Sequence, residues 1–399
     1  LSAQKFVLQV PDTVKALGEL ARWYRKSRPF RLIAITGSVG KTTTRGIIYH
    51  VLGRHFRVHQ SPANFNNEIG LPLTLLGADR DEELIIAEIG ANSPGEIAYL
   101  TGIAEPDIAV VNNVRPVHLE GFISLENIKR EKLSIVRGLG DNGLLVVNAE
   151  LQSDLPRGNN FKTVTFGNSA GSSVYAENVK YRPDGTIFTL QGKEMFLPLL
   201  GPGNLDNALA AWSVCRELDL KLPQFAEALE SLPGVPMRAE LLRFGSITVL
   251  NDCYNASPAS MKNALAIVES LAGPQGRKVF ICGEMAELGP DSEKMHARLG
   301  KDIVDAHIDT LLAVGSKAGV TALAAQDSAD YDIKVKCFDD AGAVCDNLAD
   351  FIENNDIVLV KGSRIAALEK TVEKMKELFD TEPPGPSTKT TARSGKAKK

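Results

Sequence analysis

Lysine and threonine follow a glycine turn near the start of the chain, after a short apolar run at residues 32–35. Turn glycines allow backbone N–H groups to converge on an anion, lysine supplies a positive charge, and a threonine hydroxyl can bind Mg²⁺. The pattern therefore predicts a strand, a nucleotide-phosphate loop and a helix, in a shortened form because Ile35 stands where the usual first glycine would be. An ordinary strand-to-helix turn with a solvated lysine is the alternative. The candidate phosphate-binding residues are Gly37, Ser38, Val39, Gly40, Lys41, Thr42 and Thr43.

Polar residues also follow the next apolar runs. Glu88 comes after residues 84–87, and Asn112 comes after residues 108–111. Ligands of open parallel sheets bind at the carboxyl ends of the strands, so Glu88 is expected on the same rim as Lys41, where a carboxylate can hold Mg²⁺. A glutamate that only caps the following helix is the alternative for Glu88.

An asparagine-rich segment lies between these runs, at residues 64–70. Asn64, Asn66 and Asn67 suit a loop that binds a polar substrate, although turn chemistry alone also uses asparagine.

Composition excludes several protein classes. The 399 residues carry a formal net charge of −4 with both signs dispersed, which disfavours a general nucleic-acid or membrane binder. The five cysteines show no Cys-x-x-Cys spacing, and no apolar run reaches the length of about 18 residues that a membrane span needs. We expect a cytoplasmic protein with reduced thiols.

The order of elements predicts an α/β protein. Apolar strand-like runs alternate with helical patterns before Pro233 and again after Pro236, which favours a mostly parallel sheet followed by a second, doubly wound (Rossmann-like) unit. We predict a strand remnant at residues 6–10 and a helix that begins at Asp12 and Thr13. The predicted divisions are residues 1–30 as a link, 31–234 as a nucleotide-binding domain, 235–380 as a C-terminal domain and 381–399 as a disordered tail.

Seven segments, in this order along the chain, resemble motifs of the Mur ligases of peptidoglycan synthesis. They are residues 36–43, 64–70, 88–92, 118–122, 252–258, 283–289 and 361–364. The resemblance covers roughly residues 5 to 378. Within that family it is strongest to the members that add D-alanyl-D-alanine. The family's first domain, which binds the UDP-sugar, looks largely missing, and truncation of a longer protein is the preferred interpretation.

The resemblance implies ATP-dependent amide formation. ATP would phosphorylate the terminal carboxylate of UDP-N-acetylmuramoyl-tripeptide, and the amine of D-alanyl-D-alanine would attack the acyl phosphate. Lys41 would hold the phosphates, and Thr42 and Glu88 would bind one Mg²⁺. A second Mg²⁺ would be held by His118 and by Lys132 as a carbamate, although spacing alone indicates a solvated Lys132 and leaves His118 undecided.

In the C-terminal half, the resemblance implies nucleotide contacts for Arg238, Asp252 and Asn255. Lys361 and Arg364 are expected to meet the peptide or the carboxylate of the incoming amine. His296 also matches a recurring position, without an assigned role. The sequence departs from the family pattern at Ser134, Gly203 and Glu284, and none of these changes removes a metal ligand or the phosphate-binding lysine.

Two alternatives stay open. One is a related ligase with another acceptor, of the folylpolyglutamate or cyanophycin type, although the segments around residues 64–70 and 284–289 argue against it. The other is a catalytically silent nucleotide-binding scaffold, against which the intact set Lys41, Glu88, His118 and Lys132 weighs. The third residue of the tripeptide, diaminopimelate or lysine, is undetermined, and a monomer is favoured.

Overall fold

The computed structural model describes residues 7–155, 160–272 and 276–380. Seven parallel strands form the first sheet, in the order β2-β3-β1-β4-β5-β6-β7. The strands are β1 Arg31–Thr36, β2 Val58–Gln60, β3 Leu84–Glu88, β4 Ile108–Val111, β5 Leu144–Asn148, β6 Lys162–Gly167 and β7 Val174–Tyr175. A short antiparallel sheet follows, with β8 Glu177–Arg182, β9 Gly185–Leu190 and β10 Lys193–Leu197.

Helices cover both faces of the first sheet. Successive residues of β1 enter opposite cores, Ile33 on one side and Leu32 on the other, as expected for a strand buried on both faces. The helices of this half are α1 Thr13–Lys26, α2 Lys41–Leu52, α3 Gly70–Leu76, α4 Glu96–Ala104, α5 Leu119–Phe122, α6 Leu125–Leu133, α7 Pro202–Cys215 and α8 Leu222–Glu230. We call residues 13–230 the N-terminal unit.

A second sheet of six strands lies beyond Pro236, in the order β11-β12-β16-β13-β14-β15. Only the pair β11–β12 is antiparallel. The strands are β11 Glu240–Phe244, β12 Ile247–Asn251, β13 Lys278–Gly283, β14 Thr310–Val314, β15 Lys334–Phe338 and β16 Ile357–Lys361. The helices are α9 Pro258–Ala272, α10 Ser292–Asp305, α11 Ala318–Ser328, α12 Ala341–Cys345 and α13 Glu369–Phe379. Apolar cores lie on both faces of this sheet, and we call residues 237–379 the C-terminal unit.

The predicted α/β architecture is confirmed, with a mostly parallel first sheet and a mixed second sheet. The predicted start of α1 is also confirmed, because the Asp12 carboxylate accepts hydrogen bonds from the backbone N–H groups of Val14 and Lys15 at 3.0 Å. The strand predicted at residues 6–10 is wrong for residues 7–10, which form no strand, and Phe6 lies outside the described residues. The tail predicted at 381–399 also lies outside them. Within the described residues, no helix has both the length and the apolarity to cross a membrane.

Candidate active site

The predicted phosphate loop joins β1 to α2. Gly37 has φ 149° and Gly40 has φ 86°, and residues other than glycine rarely adopt these backbone conformations. Lys41 is the first residue of α2, and its ammonium donates a hydrogen bond to the Gly37 carbonyl at 2.8 Å, so it folds back over the loop. The positive end of the α2 dipole therefore lies beside the lysine, whereas the N–H groups of Ser38 and Val39 are bonded to Asn113.

The segment after β4 holds the loop in shape. The Asn113 side chain accepts a hydrogen bond from Val39 N–H and donates one to the Val39 carbonyl, both at 3.1 Å. The Ser38 hydroxyl donates to the Arg115 carbonyl at 3.0 Å and accepts from Arg115 N–H at 2.9 Å. The loop is therefore preformed by protein contacts, which lowers the entropic cost of binding phosphate.

A second set of hydrogen bonds ties α7 to α2. The Asn112 amide donates to the Thr44 hydroxyl at 2.9 Å, and that hydroxyl donates to the Asn207 side-chain oxygen at 3.1 Å. A side chain at position 40 would meet this same Asn207 oxygen. Sequence reasoning did not identify Thr44 or Asn207 as part of the site, because the pairing spans 163 residues.

Glu88 ends β3 and is 1% exposed. Arg45 of α2 approaches it, with Arg45 Nη1 3.0 Å from Glu88 Oε1. The N–H groups of that nitrogen are directed instead to the carbonyls of Ser61, at 2.6 Å, and Ala63, at 2.8 Å. Arg45, which sequence reasoning also missed, thus links the candidate metal carboxylate to the segment that leads into the asparagine-rich loop.

Three buried oxygens at the ends of neighbouring strands have no hydrogen-bond partner. They are Thr36 Oγ1 at the end of β1, Glu88 Oε1 at the end of β3 and Asn112 Oδ1 directly after β4. Oxygen atoms that accept no hydrogen bond suit a hydrated hard cation, because Mg²⁺ binds through carboxylate, water and phosphate oxygens. The described residues contain no group of three or more His, Cys, Asp or Glu side chains that could hold a metal by themselves. The residues present therefore fit Mg²⁺ that arrives with phosphate oxygens.

His118 and Lys132 lie on the same side of the sheet. His118 precedes α5 with φ 52°, and its Nδ1 contacts the carboxylate of Glu287 in the C-terminal unit. Burial holds the pKa of His118 below its usual value, against the attraction of Glu287, while the charges of Lys41 and Lys132 lower it further. This shift favours the neutral imidazole, which is the form that binds metals.

Lys132 is 1% exposed, so the solvated lysine indicated by spacing alone is wrong. Burial lowers its pKa to about 7, and repulsion from Lys41 adds to the effect. Its ammonium lies 5.7 Å from the centre of the Phe122 ring. The neighbouring carboxylate, Glu131, is occupied elsewhere, since it accepts hydrogen bonds at 2.7 Å from two N–H groups at the start of α4.

The C-terminal unit brings Arg238 near this rim. The Arg238 guanidinium stacks on Tyr254 with 4.1 Å from its carbon to the ring centre, and its charge reaches Lys41, whose pKa is lowered first by burial and then by Arg238. Asp252 binds Lys361 at 2.6 Å and accepts from Ala239 N–H at 3.0 Å. Asp252 thereby shapes the turn that carries Arg238.

Several predicted substrate residues have structural partners. The Lys361 ammonium is buried and donates to Asp252 and to the Asn255 carbonyl, at 2.9 Å for the latter, so this arrangement does not support direct substrate contact. The Asn67 side chain accepts from Gly70 N–H at 2.9 Å at the start of α3, which is the turn role left open above. Asn64 is exposed, and Arg364 has an exposed guanidinium 3.3 Å from Glu369.

Asn66 lies against Gly90, whose N–H donates to the Asn66 carbonyl at 2.8 Å. This contact joins the asparagine-rich loop to the segment that directly follows Glu88. His296 is fully buried, and its role is structural. Its Nε2 accepts a hydrogen bond from Met285 N–H at 3.0 Å, and its Nδ1 donates to the Ser292 carbonyl at 2.7 Å. His296 thus fixes the loop at residues 284–289.

Comparison with known proteins now decides the family. Residues 35–215 match the Mur ligase middle domain, and residues 237–364 match the Mur ligase glutamate ligase domain. This chain belongs to the Mur ligase family. The UDP-N-acetylmuramoyl-tripeptide–D-alanyl-D-alanine ligase of Bacillus subtilis is 35% identical over 374 residues, covering 93% of this chain and 81% of that protein.

Solved Mur ligase structures share the fold. MurF from Acinetobacter baumannii superposes with a TM-score of 0.85 at 29% identity, covering 94% of this chain and 83% of that one. MurF from Thermotoga maritima, solved in complex with ADP, gives a TM-score of 0.83 at 29% identity, covering 94% and 88% of the two chains. This Mur ligase therefore shares its fold with both MurF structures over 94% of its length.

Proposed function

We propose that this chain is the ATP-dependent ligase that joins D-alanyl-D-alanine to UDP-N-acetylmuramoyl-tripeptide. The observation that carries the proposal is the 35% identity to an enzyme of that name over 93% of the chain, together with an intact phosphate loop. The reaction joins a carboxylate to an amine. Because a carboxylate is a poor electrophile at neutral pH, phosphoryl transfer from ATP must first convert it to an acyl phosphate.

The N-terminal unit is suited to bind the nucleotide. Lys41 and the backbone N–H groups at the start of α2 would bind the β- and γ-phosphates, and Lys41 would neutralise charge that develops as the γ-phosphoryl group moves to the substrate carboxylate. Thr42 and Glu88 would hold the first Mg²⁺, which supplies charge neutralisation on the phosphates. Arg238 and Asn255 would contact the nucleotide from the C-terminal unit, with Asp252 acting through the turn that it shapes.

His118 and Lys132 would hold the second Mg²⁺, with Lys132 as a carbamate. The neutral amine nitrogen of Lys132 attacks the carbon of CO₂ and releases one proton, which leaves an anionic carbamate oxygen as a hard ligand. A pKa of about 7 supports this step, since about half of the amine is then neutral at pH 7. Burial therefore prepares the lysine for the modification that the metal site requires.

For the acceptor side, we propose Asn64 and Asn66 of the N-terminal unit and Arg364 of the C-terminal unit. The guanidinium of Arg364 is suited to the carboxylate of D-alanyl-D-alanine because it presents several donors in one plane. The proposal also includes two Mg²⁺ ions as cofactors and a UDP-sugar peptide as the substrate. It places the protein in the cytoplasm. The cytoplasmic location rests on the cysteine pattern, and all five cysteines are free.

Phosphate release tests the proposal directly. The chain is incubated with Mg-ATP, UDP-N-acetylmuramoyl-tripeptide and D-alanyl-D-alanine, and each substrate is omitted in turn. We expect phosphate release only with all three, together with formation of the pentapeptide. Turnover with a glutamate acceptor instead would identify a related ligase. Nucleotide binding without turnover under any combination would contradict the ligase and favour the scaffold.

A pair of lysine variants tests the carbamate. Lys132→Ala should abolish ligation while ATP binding persists, and added bicarbonate should give no rescue. Lys129→Ala is the matched control, because Lys129 lies on the same helix with its ammonium paired to Asp154 at 2.8 Å. With ¹³C-bicarbonate, a carbamate NMR signal should appear in the unsubstituted protein and in Lys129→Ala and be absent from Lys132→Ala. An active Lys132→Ala would refute the carbamate.

A further inference from the structure

One side-chain contact joins the two units at the candidate metal site. His118 Nδ1, beside α5, meets the carboxylate of Glu287, in the loop between β13 and α10. The backbones meet at the same point, since Glu120 N–H donates to the Glu287 carbonyl at 3.3 Å. These two hydrogen bonds therefore fix the position of this loop relative to His118 and the residues that follow it.

Both ends of the contact are held in unusual backbone conformations. His118 has φ 52° and Glu287 has φ 61°, in the left-handed region that few residues other than glycine adopt. Such conformations persist where the surroundings determine them, and they concentrate at functional sites. Gly289, with φ 61°, lets the loop pass close to the backbone of Glu120. The backbone conformations at His118 and at Glu287 thus both favour the contact between the two side chains.

The surroundings of the loop make it rigid. Met285 N–H is held by buried His296 at 3.0 Å, and the Glu284 carbonyl accepts from Ser363 N–H at 2.9 Å. The loop therefore presents the Glu287 carboxylate from a fixed base in the C-terminal unit.

The choice of ring nitrogen decides what His118 can do. A carboxylate at Nδ1 retains the proton on that nitrogen and leaves the lone pair of Nε2 directed away from Glu287. In metal sites, a carboxylate on the second nitrogen of a ligating histidine fixes its tautomer and ring orientation and increases its basicity. The Glu287–His118 pair has this arrangement.

We propose that Glu287 is a positioning residue for His118. When the two units are in contact, Glu287 orients the His118 ring so that Nε2 is available to a divalent cation. Without that contact, the ring is not oriented in this way. The proposal rests on the proposed function, in which His118 is a metal ligand. Its consequence is that the C-terminal unit, although it supplies no ligand to this ion, controls the ion's affinity. Contact between the units is then linked to completion of the metal site.

Metal binding without turnover tests the proposal. Mn²⁺ is titrated into the full chain with a non-hydrolysable ATP analogue, and free Mn²⁺ is followed by electron paramagnetic resonance. Glu287→Ala should weaken the lower-affinity Mn²⁺ site by about 10- to 100-fold, the range for loss of such a partner. Glu287→Gln, which retains an acceptor without the charge, should lie between. Glu293→Ala, an exposed carboxylate at the start of α10, should match the unsubstituted protein.

The tautomer of His118 provides a readout that a purely structural interdomain contact would not change. In ¹⁵N-histidine-labelled protein, with the signal assigned by His118→Asn, we expect the Nδ1–H tautomer, and its loss in Glu287→Ala. Unchanged Mn²⁺ affinity and unchanged tautomer in folded Glu287→Ala and Glu287→Gln would overturn the proposal. A chain that shows these effects and yet does not ligate would instead contradict the proposed function.

Discussion

Arg45 offers a quantitative test of how the phosphate-binding rim is held together. Arg45 is 8% exposed and approaches Glu88, which is 1% exposed. Arg45→Met keeps most of the apolar stem and removes the guanidinium. The change leaves the Glu88 carboxylate buried without its nearest cation, and it leaves the carbonyls of Ser61 and Ala63 without their donor.

The magnitude follows from these contacts. Each hydrogen bond from the charged guanidinium to a carbonyl is worth about 1.5–3 kcal/mol. Removing one partner of a buried ion pair costs about 3–5 kcal/mol. The two effects share the same guanidinium and overlap, so we expect Arg45→Met to lower the free energy of unfolding by about 4–5 kcal/mol. Glu88→Gln leaves the carbonyl contacts of Arg45 intact, so its cost should be only about 1–2 kcal/mol.

A double-mutant cycle isolates the interaction between the two side chains. Unfolding in urea without nucleotide is followed by the fluorescence of Trp212, which is buried in the N-terminal unit. The double variant Arg45→Met, Glu88→Gln should be more stable than the sum of the single changes predicts, by about 2 kcal/mol. Arg54→Met, an exposed arginine just after α2, is the control and should cost less than about 1 kcal/mol. A coupling below about 0.5 kcal/mol would refute the reasoning.

Three further changes test other parts of the structure. Gly40→Ala should lose ATP binding and destabilise the protein by about 1–2 kcal/mol, because φ 86° strains any side chain; calorimetric titration with ATP and urea unfolding measure the two effects. Burial and the charge of Glu150 raise the pKa of Asp206 to about 6, so its contribution to stability is present below about pH 4 and is lost as the pH rises through 6. Asp206→Asn should therefore raise the free energy of unfolding at pH 8 by about 1–2 kcal/mol and leave it unchanged at pH 4, as thermal unfolding would show. Burial lowers the pKa of His296, so the stability that His296 contributes is complete above about pH 6.5 and is lost as the pH falls through its folded-state pKa. His296→Phe should therefore have a lower free energy of unfolding at pH 7.5. Its free energy of unfolding should also fall less steeply towards pH 5 than that of the unsubstituted protein.

The sheet was predictable because buried parallel strands are continuous apolar runs between polar residues. The apolar runs at residues 84–87 and 108–111 fall within the strands Leu84–Glu88 and Ile108–Val111. The polar residue after each run marks the carboxyl end of its strand, so the shared rim followed from topology alone. The prediction failed at residues 7–10, where an apolar run has no neighbouring strand to pair with among the described residues.

Side-chain partners were harder to predict, because they depend on contacts between distant segments. Spacing could not show that Asp252 and the Asn255 carbonyl occupy the ammonium of Lys361, or that Arg45 points at Glu88 rather than at solvent. Burial of Lys132 was equally hidden, since a charged helix position is exposed in most proteins. For Lys132, the predicted metal-ligand role came from the family resemblance, because helical periodicity indicated only a solvated residue.

The division of contacts between the two units implies an order of events. Every hydrogen bond described above for the phosphate loop comes from the N-terminal unit, so the proposed function predicts that this unit alone binds the nucleotide phosphates. His118, in contrast, takes its orienting carboxylate from the C-terminal unit, which also brings the charge of Arg238 to Lys41. An acyl phosphate is destroyed by water, so its formation is useful only once the two units enclose the site. A metal ligand that is oriented by contact between the units would delay phosphoryl transfer until that enclosure exists.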